Sequence, residues 1–309
     1  MSVTVRVPAK VNVQLAVGAA RPDGYHDLAN VFLAVGLYDE VTVTPAEELR
    51  VTCEGPDADQ VPLDRTNLAA RAAEALAARY GLRPDVHIHI AKDIPVAGGM
   101  AGGSADGAGA LAACDALWGT GASREELLDI CAELGSDVPF SLVGGAALGT
   151  GRGEKLELLE VGGTFHWVFA MAARGLSTPA VFREFDRLGE GVEIPAPVAS
   201  RELLDALATG DPDALAAAVS NDLQPAALSL FPELAATLAA GRAAGALAAL
   251  VSGSGPTTAF LARDPRSAAA VAQALHASGT CRTVRTASGP APGATVLGAA
   301  RDESVHAGA

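Results

Sequence analysis

A glycine-rich segment, residues 96–104, has the composition of a phosphate-binding loop. It reads Val-Ala-Gly-Gly-Met-Ala-Gly-Gly-Ser and follows a strand-like alternation at Val86, Ile88 and Ile90. A helix-like pattern starts at Ser104. Glycines let a backbone approach a ligand closely, and the unpaired N–H groups of a helix start attract anions. A mere flexible connector is the alternative. The loop is short and lies at a strand-to-helix junction, so we expect it to cradle a polyphosphate.

The loop differs from several well-known nucleotide-binding motifs. The chain contains no Gly-x-x-x-x-Gly-Lys-Ser/Thr segment, which excludes a P-loop. The spacing Gly-Gly-x-x-Gly-Gly is not the Gly-x-Gly-x-x-Gly of dinucleotide-binding folds. Neither a His-Arg-Asp segment nor an Asp-Phe-Gly segment occurs, which excludes a protein kinase.

Lysine is scarce, and two of the three lysines lie beside motifs that could carry chemistry. The 22 basic residues comprise 19 arginines and only Lys10, Lys92 and Lys155. Most lysines are solvated surface side chains, so this is the default interpretation for each of them. The positions of Lys10 and Lys92 beside glycine- and proline-containing motifs weaken that default.

The overall charge excludes some classes of partner. The chain has 309 residues, half of them hydrophobic, and a formal net charge of −14. Such a surface repels nucleic acid and anionic membranes at long range, so we expect neither as a partner. A phosphorylated small molecule can still bind where backbone amides and a few cations neutralise it locally.

The cysteines and the N-terminus point to a reducing cytoplasm. Cys53, Cys114, Cys131 and Cys281 form no Cys-x-x-Cys pair and no metal-ligand spacing, so we interpret them as small buried hydrophobic residues. Met1–Lys10 lacks the apolar run of a signal peptide, and no apolar run is long enough to span a bilayer.

Two mixed α and β segments must position these residues. Period-two alternation predicts N-terminal strands, and the pattern over 67–80 predicts a helix capped by Gly81. Ser123 and Glu126 form a capping box that starts another helix. The strand-like segment 166–172 begins a second lobe. We expect domains at 1–160 and 161–288, with 289–309 as a partly disordered tail.

Five short motifs in consistent order resemble the superfamily of galactokinase, homoserine kinase, mevalonate kinase and phosphomevalonate kinase, the GHMP kinases. They span most of the chain and comprise Pro8–Asn12, Asp23–His26, Pro95–Ser104, Gly135–Pro139 and Ser252–Gly255. The similarity is greatest to members of the non-mevalonate isoprenoid pathway, whose acceptor is a cytidine diphosphate-linked methylerythritol.

The resemblance implies an α+β fold of two lobes with the active site in the cleft between them. It also implies an ATP-dependent small-molecule kinase that needs Mg²⁺ and transfers the γ-phosphoryl group to the 2-hydroxyl of that acceptor. We expect a monomer or a weak homodimer.

By the same resemblance, Asp137 accepts the hydroxyl proton and Lys10 orients the hydroxyl and stabilises developing charge. Phosphoryl transfer needs mainly alignment and charge neutralisation, so one carboxylate, one ammonium and a ring of amides suffice. Asp137 could instead be a helix N-cap, because Val138 and Pro139 follow it. The two roles are compatible.

The resemblance further assigns residues to the two ligands. Tyr25 and His26 contact the cytosine end, and Phe182 stacks on its other face unless it is plain helix core. The remaining substrate contacts are Asn12, Thr178, Gly253 and Gly255. The ATP contacts are Pro95, Val96, Ala97, Gly98, Gly99, Met100, Ala101, Gly102, Gly103, Ser104, Ala105, Asn67 and Lys92.

Two features depart from the family pattern. The family's loop often has two serines and an asparagine where this chain has Ser104, Ala105 and Asp106, which leaves the Mg²⁺ ligands open. Ala97 and Ala101 replace glycines, which stiffens the loop without removing its amide donors.

Other functions remain open from the sequence. A sister kinase acting on homoserine or a mevalonate derivative is the nearest, although Asp23–His26 favours the cytidine-linked acceptor. A dinucleotide-binding oxidoreductase rests on the glycine loop alone. A non-catalytic nucleotide-binding protein leaves the pairing of Lys10 with Asp137 unexplained.

Overall fold

The computed structural model describes residues 1–96 and 98–300. In chain order its elements are the strands β1 (Ser2–Ala20), β2 (His26–Pro45) and β3 (Arg50–Glu54), helix α1 (Leu68–Tyr80), strand β4 (Val86–Ala91), helices α2 (Gly102–Trp118), α3 (Arg124–Leu134) and α4 (Val138–Val143), strands β5 (Ala146–Thr150), β6 (Lys155–Leu159) and β7 (Phe165–Met171), helices α5 (Thr178–Leu188), α6 (Arg201–Thr209) and α7 (Pro212–Ala218), strand β8 (Ser220–Asn221), helices α8 (Gln224–Leu230) and α9 (Leu234–Ala243), strands β9 (Ala248–Val251) and β10 (Thr258–Ala262), helix α10 (Pro265–Ser278), and strands β11 (Thr283–Gly289) and β12 (Thr295–Ala300).

The strands form two sheets. The larger has the order β12-β1-β2-β4-β3, with β5 also paired to β2, β6 to β5 and β8 to β1. The smaller has the order β11-β7-β10-β9. Pairing is antiparallel except between β3 and β4 and between β1 and β8. This is the α+β architecture that the sequence predicted.

Local sequence signals explain where the predicted helices begin and end. The side chain of Asn67 accepts a hydrogen bond from the N–H of Ala69 at the start of α1, and Gly81 ends that helix in the left-handed conformation. The predicted capping box of Ser123 and Glu126 is present at the start of α3. Both predictions are confirmed. Helix α2 starts at Gly102, slightly before the predicted Ser104.

The glycine loop is positioned by the close packing of α2 on the larger sheet. A Cβ atom at Gly109 would lie 2.8 Å from the side chain of Val41 and 2.9 Å from that of Val7. Only glycine at this position lets the helix approach the strands so closely. Gly109 lies on α2, which directly follows the glycine loop. The close packing at Gly109 therefore also fixes the distance between the loop and the sheet.

The segment 289–309, expected to be a partly disordered tail, contains a strand. Strand β12 pairs antiparallel with β1, with Ser2 opposite Ala300. The backbone groups along β1 offer an edge on which β12 can pair, and this pairing is non-local. A local sequence pattern cannot show it. Residues 301–309 lie outside the described part of the chain.

Strand β6 belongs to the larger sheet and β7 to the smaller one. We therefore keep the division into domains 1–160 and 161–288 as a proposal, with the addition that β8 and β12 return to the larger sheet.

Two further predictions concern the burial of the cysteines and the absence of a membrane-spanning segment. Cys114 and Cys131 are buried, and burial raises the pKa of each thiol to about 12. Cys53 and Cys281 are only half-buried. Within residues 1–96 and 98–300, no helix combines the length and the apolar character needed to cross a membrane.

Candidate active site

A cavity of about 660 Å³ is lined by residues of the larger sheet and of several helices and loops. Its walls come from β1, the turn before β2, the glycine loop with the start of α2, the start of α4, helix α5 and the loop after β9. Both predicted catalytic residues, Lys10 and Asp137, line it.

Lys10 lies at the centre of a short polar network in this cavity. Its residue surface is 4% exposed, and its Nζ donates to Asn12 Oδ1 at 2.6 Å and to the carbonyl oxygen of Gly99 at 3.0 Å. Asp137 Oδ2 lies 3.6 Å from the same nitrogen. Asn12 in turn donates to Asn30 Oδ1 at 2.6 Å, which fixes the amide. One ammonium therefore contacts an acid, an amide and the glycine loop.

The electrostatics of Lys10 reflect two opposing effects. Burial lowers the pKa of its ammonium from the ordinary value, and the neighbouring carboxylate of Asp137 partly offsets that lowering. A buried ammonium without a carboxylate partner is costly, so Asp137 stabilises the charged form of Lys10.

Asp137 occupies the N-cap position of α4, as the alternative interpretation predicted. Its side chain makes no capping hydrogen bond there, and Pro139 follows in the first turn. The side chain is 31% exposed. The carboxylate is thus free to face the cavity while the backbone starts the helix.

The glycine loop is held by a second glycine-rich turn, residues 252–255. Gly99 has a φ of +75°, and its carbonyl oxygen accepts hydrogen bonds from Lys10 Nζ and from Ser252 Oγ at 3.1 Å. A Cβ atom at Gly99 would lie 2.2 Å from the carbonyl oxygen of Ser252. Ala101 also adopts a left-handed φ, of +61°, just before α2. Gly99 and Ala101 are therefore held in specific conformations by packing and hydrogen bonds, as a phosphate-binding loop requires.

The first turn of α2 opens toward the cavity. Gly102, Gly103 and Ser104 line it, and the N–H groups of a first helical turn have no partners within the helix. These donors and the positive end of the helix dipole suit a phosphate group.

Lys92 lies under the loop and not in the cavity. Its Nζ is 2.5 Å from Asp39 Oδ2 and 2.8 Å from Asp106 Oδ2, and its side chain is 2% exposed. Asp39 Oδ1 also accepts hydrogen bonds from the N–H groups of Asp93 and Ile94. The cluster Asp39–Lys92–Asp106 thus ties the beginning of the loop to the helix that follows it.

Asp106 is unusual within this cluster. Its Oδ1 is buried without a hydrogen-bond partner among the described residues. Burial raises the pKa of its carboxyl to about 7, with Lys92 opposing and Asp39 adding to the shift. This carboxyl faces Lys92 beneath the loop, and Asp106 is not among the residues that line the cavity in the described part of the chain.

One half of the cavity is rich in aromatic residues. The ring of His26 lies 5.0 Å from that of Phe182 and 6.0 Å from that of Phe185, measured between centroids. Tyr25 is 51% exposed, and the guanidinium of Arg152 lies 4.9 Å from its ring centroid. These rings can accept a flat, partly polar group between them.

Most of the predicted site residues meet at this cavity. Those that line it are Lys10, Asn12, Tyr25, His26, Pro95, Gly98, Gly99, Ala101, Gly102, Gly103, Ser104, Asp137, Thr178, Phe182 and Gly253. Thr178 is further fixed by a 2.8 Å hydrogen bond to Ser254.

Other predicted residues are placed elsewhere. The side chain of Asn67 caps α1 and also donates a hydrogen bond to the carbonyl oxygen of Pro62. The ammonium of Lys92 is paired with aspartates. Val96, Met100, Ala105 and Gly255 are not among the lining residues in the described part of the chain. Ala97 lies outside the described residues.

Some lining residues were missed from sequence. Arg152, Arg183 and Asp186 are charged residues on the cavity wall. The four-residue spacing of Thr178, Phe182 and Asp186 on one helix is a signal that would have suggested Asp186. No comparable signal marks Arg152.

Comparisons with known proteins place this fold and site in a class. The family model "GHMP kinases N terminal domain" matches residues 67–145, and "GHMP kinases C terminal" matches residues 203–281. A homoserine kinase from Cytophaga hutchinsonii superposes with a TM-score of 0.72 at 19% identity over 96% of this chain and 97% of its own, which shows the shared fold alone.

Nearer relatives carry a more specific name. A 4-diphosphocytidyl-2-C-methyl-D-erythritol kinase from Streptomyces coelicolor is 85% identical over 298 residues, 96% of this chain and 100% of the relative. One from Mycobacterium bovis is 55% identical over 298 residues, 96% of this chain and 94% of the relative. A crystal structure of 4-(cytidine 5'-diphospho)-2C-methyl-D-erythritol kinase has a TM-score of 0.74 at 34% identity, covering 92% of this chain and 98% of its own.

The chain belongs to the GHMP kinases and, within them, to the family of these 4-diphosphocytidyl-2-C-methyl-D-erythritol kinase relatives. The resemblance inferred from the five motifs is confirmed. Membership makes the chain an ATP-dependent small-molecule kinase.

Proposed function

We propose that the chain transfers the γ-phosphoryl group of ATP to the 2-hydroxyl of 4-diphosphocytidyl-2-C-methyl-D-erythritol in the non-mevalonate isoprenoid pathway. The products are the 2-phosphate and ADP. The observation that carries the proposal is the convergence of Lys10, Asp137 and the glycine loop in one cavity with an aromatic half. The names of the relatives, at up to 85% identity, support the choice of acceptor.

Asp137 acts as the proton acceptor in this proposal. The acceptor's hydroxyl oxygen forms a bond to the γ-phosphorus while the bond from that phosphorus to the β,γ-bridging oxygen breaks, and ADP leaves. The hydroxyl proton passes to the carboxylate of Asp137. This carboxylate is suited to the role because it is partly exposed in the cavity and makes no capping bond.

Lys10 supplies positive charge where negative charge develops. Its ammonium contacts both the Gly99 carbonyl and Asp137, so it lies between the phosphate loop and the base. A preorganised cation in a site shielded from water stabilises a phosphoryl-transfer transition state without costly rearrangement. The amides of the loop and of the first turn of α2 hold the non-transferred phosphates.

The aromatic half orients the acceptor. Tyr25, His26 and Phe182 would hold the cytosine, and Asn12, Thr178 and Gly253 would contact the remainder of the molecule. Binding energy from the nucleotide end then fixes the distant hydroxyl near Asp137, which is how remote contacts lower the barrier of the chemical step.

Mg²⁺ fits this cavity as an ion held chiefly by the nucleotide. Mg²⁺ usually binds one or two protein oxygens together with substrate phosphates and water. The hydroxyl of Ser104 and the carboxylate of Asp137 line the cavity, whereas Asp106 is committed to Lys92. Of the two, Ser104 would hold the ion, because Asp137 is paired with Lys10. When bound, it would neutralise charge on the phosphates.

An acceptor screen tests the proposal. Purified protein with ATP and Mg²⁺ is assayed for ADP formation with the cytidylated methylerythritol, with homoserine and with mevalonate in parallel. We expect turnover with the first and only background with the others, and Asp137→Asn serves as the inactive control. ADP formation with homoserine or mevalonate, and none with the cytidylated acceptor, would reject this acceptor in favour of a sister kinase.

A further inference from the structure

Helix α5 presents a row of three residues to the cavity. Thr178, Phe182 and Asp186 are spaced four residues apart, so they share one face of the helix, and all three line the cavity. The first two already have proposed substrate contacts. Asp186 is the third member, and the mechanism leaves it unused.

Asp186 contacts the cavity through a histidine. Its Oδ1 lies 2.8 Å from Nε2 of His26, and its side chain is 41% exposed. An ionised carboxylate can only accept hydrogen bonds, so the proton between the two groups belongs to Nε2. In the neutral imidazole the other nitrogen, Nδ1, then carries a lone pair and can only accept.

His26 cannot easily turn to present its other nitrogen. The residue is 6% exposed, and Phe182 and Phe185 pack against its ring from the same helix. With the ring held in place, the position of the proton decides which ligand groups the histidine can satisfy. Because His26 starts β2 and Asp186 lies near the end of α5, the same hydrogen bond also ties the base-binding turn to the helix.

We propose that Asp186 is a positioning residue that selects the nucleobase of the acceptor through His26. It fixes the tautomer protonated on Nε2 and so leaves Nδ1 as an acceptor for the exocyclic amino group of cytosine. Uracil carries a carbonyl oxygen in that place, and two acceptors facing each other leave both unpaired. A site built to hydrogen-bond one group discriminates strongly against an analogue that cannot make the bond. The inference rests on the proposed function, because it concerns the cytidine end of that acceptor.

The kinetic test compares matched acceptors that differ only in the base. The kcat/KM values for the cytidine-linked and the uridine-linked methylerythritol diphosphates are measured for the wild type and for Asp186→Ala. We expect the wild type to prefer cytidine and the variant to lose about tenfold or more of that preference. The KM for ATP should not change. An unaltered preference in Asp186→Ala overturns the proposal.

Glu184→Ala is the control for a general loosening of α5. Glu184 lies on the same helix and accepts hydrogen bonds from Arg187 and Ser229, but it does not line the cavity. This variant should keep the base preference. If it lowers the preference as much as Asp186→Ala does, the effect is structural and the proposal fails.

Two further measurements isolate the route through His26. In a His26→Phe background, Asp186→Ala should cause no additional loss of base preference, and an undiminished loss there contradicts the proposal. Nitrogen NMR of His26 should show Nε2 protonated in the wild type and a mixed population of tautomers in Asp186→Ala. A wild-type ring protonated on Nδ1 alone overturns the inference. This spectrum needs no turnover, so it remains informative if the protein fails to phosphorylate the cytidine-linked acceptor.

Discussion

The Nζ atom of Lys10 lies 3.6 Å from Oδ2 of Asp137 and 3.0 Å from the carbonyl oxygen of Gly99. A single cation thus joins the proposed base, which comes from the start of α4, to the phosphate loop, which precedes α2. Its burial lowers the pKa of the ammonium, and the carboxylate opposes that effect. The charge state of Lys10 and the function of Asp137 are therefore coupled.

Replacing Asp137 by asparagine should separate binding from catalysis. Asparagine keeps the shape of the side chain but cannot accept the hydroxyl proton, so we expect turnover to fall by about 10² or more. ATP affinity should be retained. Steady-state kinetics with ATP titration measures both quantities. The matched control is Asp129→Asn on the exposed surface of α3, where the side chain is 62% exposed and turnover should not change. Unchanged turnover in Asp137→Asn would remove this residue from the mechanism.

Truncation of Phe182 should weaken binding of the acceptor selectively. The ring of Phe182 packs against that of His26 in the cavity, so Phe182→Ala should remove the proposed apolar contact with the base but none with ATP. We expect KM for the cytidylated acceptor to rise about tenfold or more, which corresponds to the loss of an aromatic contact. Leu188→Ala, on the same helix but 45% exposed and outside the cavity lining, is the control and should leave both KM values unchanged. If Phe182→Ala changes the KM values of both substrates equally, Phe182 is a packing residue of the helix core and not a contact for the base.

Short-range signals predicted much of the fold. The C-terminal cap of α1 at Gly81 and the capping box of α3 at Ser123 and Glu126 follow from residues at the helix ends, so both were predicted from sequence, whereas the N-cap role of Asn67 was not. The strand β12 could not, because its pairing with β1 joins the two ends of the described chain.

The site residues likewise differ in how far their roles can be predicted from neighbouring sequence. The glycine loop and the motif of Asp137 were recognisable because each is contiguous in sequence. Lys92 was predicted near the nucleotide, but its ammonium is consumed by Asp39 and Asp106, which approach it from β2 and α2. Its neighbours in three dimensions decide its role, and they lie on separate segments of the chain.

Alanine at Gly99 should damage the phosphate loop more than backbone strain alone can explain. The residue has a φ of +75°, and a Cβ atom there would lie 2.2 Å from the carbonyl oxygen of Ser252. The loop or the turn at 252–255 must therefore move. We expect KM for ATP to rise by about tenfold or more in Gly99→Ala as the amide donors lose their positions.

Gly81→Ala is the control for the strain of a positive φ. Gly81 has a φ of +65°, but nothing lies within 4 Å of the Cβ position. This variant should lose about 1 kcal/mol of stability from the left-handed conformation and keep its KM for ATP. If Gly99→Ala has the same KM for ATP as Gly81→Ala and the wild type, the close approach of Gly99 to the Ser252 carbonyl is not what positions the loop.

The buried carboxyl of Asp106 should make the stability of the protein depend on pH. Burial raises its pKa in the folded state to about 7 from an ordinary 3.8, while Lys92 lowers it and Asp39 raises it further. Between these two values the folded protein keeps a proton that the unfolded chain has released. The free energy of unfolding contributed by this group must therefore fall as pH rises from about 4 to about 7, by at most about 1.4 kcal/mol per pH unit.

Asp106→Asn should remove this contribution, because an amide has no proton to lose in this range. The raised pKa of Lys92 keeps its ammonium charged throughout, so it does not titrate in the same window. We expect the stability of the variant relative to the wild type to increase from pH 5 to pH 7 and to level off above pH 7. Urea unfolding at pH 5, 6, 7 and 8 measures this difference. The contrary outcome is a difference in unfolding free energy between Asp106→Asn and the wild type that does not change with pH. It would mean that Asp106 stays ionised beside Lys92 in the folded protein. The attraction of the ammonium would then outweigh the cost of burial.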